Sequence, residues 1–153
     1  MRFIDYLDKG ASLGADAPCL TMDGRDLSYG EVQRLSYRFA RGLDRSGIVP
    51  GEKVAILSGN DPLAFACVFG ISRAAAVWCP INPRNEAAEN KFILDQFDCS
   101  LLLFHSSFAP MVRILAIKRL AHQTAILILG KMARLLTQSN TQATRRSDSF
   151  NKE

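Results

Sequence analysis

The pattern of apolar and polar positions switches repeatedly between a helical period and short apolar runs. Ile4, Leu7 and Ala11 recur at helical spacing, whereas residues 53–57 and 99–104 are continuous apolar runs typical of buried strands. Where the period changes, turn-forming residues separate the segments. The pattern predicts helices over residues 2–13, 28–47, 62–75 and 86–97, and strands over residues 19–22, 27–29, 53–57, 76–81 and 99–104.

Residues at the ends of these segments support the boundaries. Asp23-Gly24 predicts a tight hairpin turn, because both residue types tolerate positive φ angles. Ser28 and Glu31 have the spacing of a capping box, in which each side chain bonds the other residue's backbone N–H. Asp61 is predicted to cap the next helix, with Pro62 at its first position, where a missing N–H costs nothing.

Helices and strands alternate with short connections from residue 53 to residue 104. This alternation is typical of βαβ units, whose strands form a parallel sheet. Right-handed crossovers then place the helices on both faces of the sheet. The sequence therefore predicts the α/β class, with part of a mostly parallel sheet and an N-terminal hairpin.

Composition is that of an ordinary globular chain, with 153 residues, 48% hydrophobic and 22% charged. No membrane-spanning segment is expected, because the most apolar stretch, residues 63–79, contains Gly70 and Arg73. The four cysteines form no CxxC pair and are expected to be buried reduced thiols, which favours a cytoplasmic location. No metal site is expected, since the cysteines and histidines lack ligand spacing.

Charge divides the chain unevenly. Residues 1–111 carry 11 basic and 13 acidic side chains, whereas residues 112–153 carry 8 basic and 2 acidic ones. Residues 112–136 form a basic segment of uncertain structure, although the apolar spacing over residues 111–121 is consistent with a helix. Residues 137–153 are expected to be disordered. The basic segment could lie on anionic lipid or contact nucleic acid. The favoured alternative is that it is not a selected functional element, as after a frameshift or a fusion.

Five segments in a fixed order carry a resemblance to a known family. Together they resemble the opening stretch of AMP-forming acyl-CoA synthetases, which belong to the adenylate-forming ligases. The resemblance covers roughly residues 3–110, so residues 1–111 are interpreted as the N-terminal part of an AMP-binding domain. Asn85 departs from the family pattern, which usually has Leu there. The matching segments are Asp23-Gly24-Arg25, residues 27–31, residues 51–60, Pro80-Ile81-Asn82-Pro83-Arg84 and Phe92-Ile93-Leu94.

This resemblance implies a chemistry. Such enzymes use ATP to turn a carboxylic acid into an acyl-adenylate and then pass the acyl group to coenzyme A. ATP, Mg²⁺ and coenzyme A, together with a carboxylic acid substrate, are therefore implied for a full-length relative. The family's Ser/Thr-Gly phosphate loop, aromatic-Gly-x-Thr-Glu segment, ribose-binding Asp and C-terminal lysine do not occur in this sequence. We therefore expect no catalytic, cofactor-binding or metal-binding residue in this chain.

Several residues resemble site residues and have simpler explanations. Residues 82–84 are expected to form a strand-to-helix turn rather than a ligand loop. His105 precedes Ser106 and Ser107, but with no third group to orient the imidazole a triad is not expected, and Ser106 is predicted to cap a helix. Gly130-Lys131 lacks the flanking residues of a Walker loop. Trp78 is expected to lie in the core.

Two functions follow. The first is a truncated N-terminal fragment of an ATP-dependent carboxylate–CoA ligase that is not catalytic alone, so whether the chain is an enzyme stays open. The second is a non-catalytic interaction module that uses an exposed sheet surface, completed by a partner or an oligomer, or the basic tail on a membrane surface. No nucleic-acid partner is expected. The apolar surface that an incomplete domain leaves exposed is what such a partner would cover.

Overall fold

The computed structural model describes residues 1–115 and 127–128. In chain order, these residues form five α-helices and six strands. The helices are α1 (Phe3–Leu13), α2 (Tyr29–Arg45), α3 (Pro62–Arg73), α4 (Ala87–Gln96) and α5 (Ala109–Ile114), and a 3₁₀ turn covers Ser106–Phe108. The strands are β1 (Pro18–Met22), β2 (Arg25–Ser28), β3 (Lys53–Leu57), β4 (Val77–Ile81), β5 (Cys99–Phe104) and β6 (Leu127–Ile128).

The main sheet is parallel, with the strand order β4-β3-β5-β6. Strands β1 and β2 form a separate antiparallel hairpin. Asp23 and Gly24 connect them with φ angles of 51° and 72°, the conformation of a two-residue hairpin turn. The predicted α/β class, the parallel βαβ units and the N-terminal hairpin are thus confirmed.

The predicted helix starts are also confirmed. Glu31 N–H donates to Ser28 Oγ at 3.3 Å, and Ser28 N–H donates to a Glu31 carboxylate oxygen at 2.8 Å. Asp61 Oδ1 accepts from the backbone N–H of Leu63 at 2.8 Å, with Pro62 as the first helical residue. These bonds satisfy backbone donors that a helix cannot satisfy internally.

Two hydrophobic layers cover opposite faces of the sheet. Val54 and Ile56 of β3 face helices α2 and α3, where they join Leu101 and Leu103 of the neighbouring β5. The alternate residues Ala55 and Leu57 face α4 and α5. A third cluster joins α1 to α2 and α3. Strands buried on both faces explain why residues 53–57 and 99–104 are apolar without alternation.

The last part of the chain is described only in part. Helix α5 begins at Ala109, two residues before the predicted helix over residues 111–121, whose end lies outside the described residues. Residues 127–128, within the basic segment, extend the sheet by pairing with β5. The expected disorder of residues 137–153 also falls outside the described part. None of the helices that the structure describes has both the length and the hydropathy needed to cross a bilayer.

Candidate functional site

The carboxyl ends of β3, β4 and β5 lie at one edge of the sheet. Open α/β sheets bind ligands at this edge, where the strand order reverses. Here the chain passes from β3 to β4 on one side and then to β5 on the other, so the reversal lies between β3 and β5. The loops at this edge are residues 58–61, 82–86 and 105–108.

The first loop, residues 58–61, closes on helix α3. Its Asp61 carboxylate is already engaged as the helix cap. Ser58 Oγ, at the other end of the loop, is buried and has no hydrogen-bond partner. An unpaired buried hydroxyl costs free energy, so Ser58 carries the unused hydrogen-bonding capacity of this loop.

The second loop, after β4, is built as a turn. Asn82 Oδ1 accepts from the backbone N–H of Arg84 at 3.0 Å, and the Asn82 carbonyl accepts from Asn90 Nδ2 at 3.2 Å. The side-chain oxygen and the backbone carbonyl of Asn82 therefore both stabilise the connection from β4 to α4. Arg84 is exposed. The predicted structural role of residues 82–84 is confirmed.

The third loop brings His105 and Ser107 together. The distance between His105 Nδ1 and Ser107 Oγ is 2.7 Å, and Ser107 N–H donates to the same nitrogen at 3.2 Å. Since Nδ1 accepts the backbone bond, the neutral imidazole carries its proton on Nε2. His105 thus caps the 3₁₀ turn, and the prediction that Ser106 is the cap is wrong. Both histidine and serine side chains can accept a bond from a backbone N–H at the start of a helical turn. Here the turn begins one residue earlier than predicted.

Helix N-termini at this edge do not fit a triphosphate. The Asp61 carboxylate occupies the first turn of α3, and in α4 Glu89 accepts from the backbone N–H of Glu86 at 3.0 Å. A carboxylate already placed at the positive end of a helix repels a phosphate there. Arg84 is the one lysine or arginine in the three loops. These three loops therefore do not fit ATP, and the described residues contain no cluster of three potential metal ligands.

A groove of about 480 Å³ lies beside this edge. Strand β1 forms one wall, and the beginning of α3 and the outer part of β4 form the others. Its lining is mainly apolar, with Ser58, Asn60 and Asp61 at one end. The groove is lined by Leu20, Thr21, Met22, Ile56, Ser58, Gly59, Asn60, Asp61, Pro62, Ala64, Phe65, Val68, Trp78, Pro80 and Ile81.

Trp78 lies in this groove with 42% of its surface exposed. The prediction that Trp78 belongs to the core is therefore wrong. Trp78 pairs with Val54, on the face of the sheet that α3 covers, but β4 is the edge strand of the described sheet, so the ring borders the groove between β1 and α3. One signal in the sequence could have indicated this: Pro80 lies in the same strand, and proline is confined to edge strands.

All four cysteines are free thiols, and the prediction that all four are buried is wrong for Cys19 and Cys99. Cys67 and Cys79 are buried, and Cys19 and Cys99 are half-buried. Burial, with Cys79 beside it, raises the pKa of Cys99 to about 12. A thiol with such a pKa stays protonated at neutral pH and is a poor nucleophile. Gly130-Lys131, the nearest sequence to a phosphate loop, lies outside the described residues.

Comparison with known proteins assigns the family. The profile of the family described as AMP-binding enzyme matches residues 7–152, nearly the whole chain. The chain belongs to the AMP-binding enzyme family. The resemblance drawn from the ordered segments is thereby confirmed, and the match runs past residue 110, the end of the stretch that the resemblance covers.

Two relatives of the chain are ligases of acyl groups. One is a fatty acid–[acyl-carrier-protein] ligase of Streptomyces coeruleorubidus, 33% identical over 95 residues, 62% of this chain and 18% of the relative. The other is a feruloyl-CoA synthase of an Amycolatopsis species, 33% identical over 110 residues, 72% of this chain and 22% of the relative. The chain thus spans about a fifth of the length of these relatives.

A solved structure shares the fold of the chain. It is an anthranilate CoA ligase in complex with anthranoyl-AMP, with a TM-score of 0.79 and 21% identity over 88% of this chain and 27% of the other. At that identity the likeness shows the fold alone. In that ligase the fold described here is therefore one part of a larger chain.

Proposed function

We propose that residues 1–111 are the N-terminal part of an AMP-forming carboxylate–CoA ligase. The complete enzyme would activate a carboxylic acid as its acyl-adenylate and transfer the acyl group to coenzyme A. The observation that carries the proposal is family membership together with the ordered match to acyl-activating relatives. Residues 112–136 would be a basic segment and residues 137–153 a tail after this part, and the family profile continues across them to residue 152.

We propose further that the chain does not catalyse this reaction alone. Adenylation requires cations and backbone donors around the phosphates. In the described residues, carboxylates hold the helix N-termini at the ligand-binding edge, which argues against a triphosphate there. The sequence motifs that supply these groups in the family are not found among the 153 residues.

The substrates belong to the proposal as well. ATP, Mg²⁺ and coenzyme A would serve the complete enzyme, as the family implies. One relative loads an acyl carrier protein and the other forms a CoA ester, so coenzyme A as the acceptor is our inference. The fatty acid in the first relative's name supports a place in fatty acid metabolism. Four free cysteines support a cytoplasmic location.

An interaction module is the second candidate function. Large apolar side chains exposed around the groove favour it, because a monomer seldom exposes a contiguous apolar surface without a binding role. Under this alternative the chain would bind a partner without contributing to a ligase.

A chimera tests the proposal. Residues 1–111 would replace the matching N-terminal segment of the Amycolatopsis feruloyl-CoA synthase, and feruloyl-CoA formation would be measured. The proposal expects a soluble chimera that forms feruloyl-CoA, whereas the synthase with the segment deleted does not. A soluble chimera as inactive as the deletion variant would contradict it and favour the interaction module.

A further inference from the structure

An aromatic track continues from the groove across the surface of the protein. Phe65 of α3 lines the groove beside Trp78 and makes an edge-to-face contact with Phe69, with 5.5 Å between ring centroids. Phe69 in turn stacks on Phe3 of α1 at 4.8 Å. Phe65, Trp78 and Phe3 are each more than 40% exposed. The track therefore runs from the sheet edge over α3 to the N-terminal helix.

Helix α3 shows why this surface is unusual. Its inner side packs through Cys67 and Ile71 against the sheet and α2, and Ala66 packs against α1. A helix at a protein surface normally presents polar residues on its outer side. Here the outer position is Phe65, so the helix has the composition of one that is covered on all sides.

The edge strand beside the groove does not favour strand addition. Val77 N–H donates to the Glu52 carbonyl at 2.8 Å, so the backbone groups of Val77 point towards β3. Because the backbone groups of successive strand residues point to opposite sides, those of Trp78 and Pro80 point to the free edge of β4. Since proline has no N–H, the free edge offers an incomplete ladder. A partner would cover this side of the molecule through side-chain packing.

We infer that the groove and the aromatic track form the docking surface for the remainder of an AMP-binding ligase domain. This inference rests on the proposed function. The size of two similar proteins indicates the occupant: the same fold is 27% of an anthranilate CoA ligase, and the matched segment is 22% of a feruloyl-CoA synthase. The occupant contributes an apolar face, because the track carries aromatic rings and the carboxylate in the groove, Asp61, is engaged in a cap.

The full chain carries its own reporter of docking. Trp78 is the single tryptophan, so labelling with 5-fluorotryptophan places one fluorine signal in the groove. The probe is the Amycolatopsis feruloyl-CoA synthase lacking the N-terminal segment that this chain matches. On mixing, we expect the fluorine signal to shift and its broadening by a soluble nitroxide to fall several-fold, since the partner excludes solvent from Trp78.

A matched pair of variants separates this surface from others. Phe65→Gln removes a ring from the track that is 43% exposed, whereas Phe92→Gln removes a more exposed ring, at 66%, from α4 on the opposite face of the sheet. We expect Phe65→Gln to weaken binding by about tenfold or more, as for a central aromatic contact, and Phe92→Gln to leave it unchanged. The same two substitutions in the chimera should affect feruloyl-CoA formation in the same order.

The outcomes separate the two claims. A complex or an active chimera in which Trp78 stays exposed, or in which both variants behave alike, would overturn the docking surface and leave the proposed function standing. Absence of a complex together with an inactive chimera would overturn both. Protection of Trp78 with selective loss in Phe65→Gln would support the inference.

Discussion

Arg73 and Asp8 form a two-pronged ion pair that ties the end of α3 to α1. Arg73 Nη2 lies 2.6 Å from Asp8 Oδ1, and Nη1 lies 3.1 Å from Oδ2. The remaining nitrogen, Nε, donates to Ser36 Oγ of α2 at 3.0 Å, and the guanidinium lies 3.6 Å above the ring of Tyr37. The Arg73 side chain is 13% exposed and that of Asp8 is 34% exposed, so one arginine connects three helices in a half-buried site.

Replacing Arg73 by lysine tests this connection. Lysine keeps the charge but cannot bond Asp8 through two nitrogens and Ser36 through a third, so Arg73→Lys should lower the free energy of unfolding by about 1–2 kcal/mol. Urea denaturation measures the change. Arg2→Lys is the control, because the Arg2–Asp5 pair is exposed and should change stability by less than about 0.5 kcal/mol. Equal effects of the two substitutions would refute a special role for Arg73.

The Asp8 carboxylate makes stability depend on pH. The hydrogen bonds from Arg73 hold the pKa of Asp8 below its ordinary value, against the opposing effect of burial. A lowered folded-state pKa contributes stability that is present above the ordinary value and is lost as the pH falls through the lowered one. The stability difference between the wild type and Asp8→Asn should be full at pH 7 and shrink progressively as the pH falls below the ordinary Asp pKa of 3.8. A difference that does not change with pH would contradict this.

Gly70 marks the closest approach of α3 to α2. A Cβ at this position would lie 2.4 Å from Phe39 Cβ and 3.2 Å from the Ser36 carbonyl oxygen. Gly70→Ala should therefore destabilise the protein by about 1–3 kcal/mol through overpacking. Gly42→Ala is the opposite control, since no atom lies within 4 Å of a Cβ there, and it should stabilise α2 by about 0.5–1 kcal/mol. Thermal unfolding measures both changes in stability. If Gly70→Ala and Gly42→Ala changed the stability in the same direction, the close packing of α3 on α2 would be contradicted.

Thiol chemistry tests the burial of the cysteines. Burial raises the pKa of Cys67 well above its ordinary value and that of Cys99 to about 12. Both thiols should react slowly with a disulfide reagent at pH 8 in the folded protein and at the ordinary rate in urea, because the thiolate is the reactive form. Fast labelling of Cys67 under native conditions, detected by mass spectrometry, would be inconsistent with the structure.

Local signals in the sequence predicted most of the fold. The strands Lys53–Leu57 and Cys99–Phe104 have the predicted bounds, because continuous apolar runs followed by turn residues define a buried strand closely. The caps at Ser28 and Asp61 were predictable because each depends on residues two or three positions apart.

Features that depend on distant residues were not predictable in this way. The pairing of Arg73 with Asp8 joins positions 65 residues apart, and neither residue has a local signal for it. The exposure of Trp78 depends on which strand ends the sheet, which an apolar run does not encode. The groove depends on how the hairpin packs against α3 and β4, so its lining residues were not predicted as a group.

The most direct test of the account is ATP–pyrophosphate exchange by the purified 153-residue chain, with Mg²⁺ and a panel of carboxylic acids. The feruloyl-CoA synthase of Amycolatopsis assayed in parallel is the positive control. The account predicts exchange at the background level with every acid, because the helix N-termini beside the sheet are held by Asp61 and Glu89 rather than left open for phosphate. Acid-dependent exchange that copurifies with the chain would contradict it.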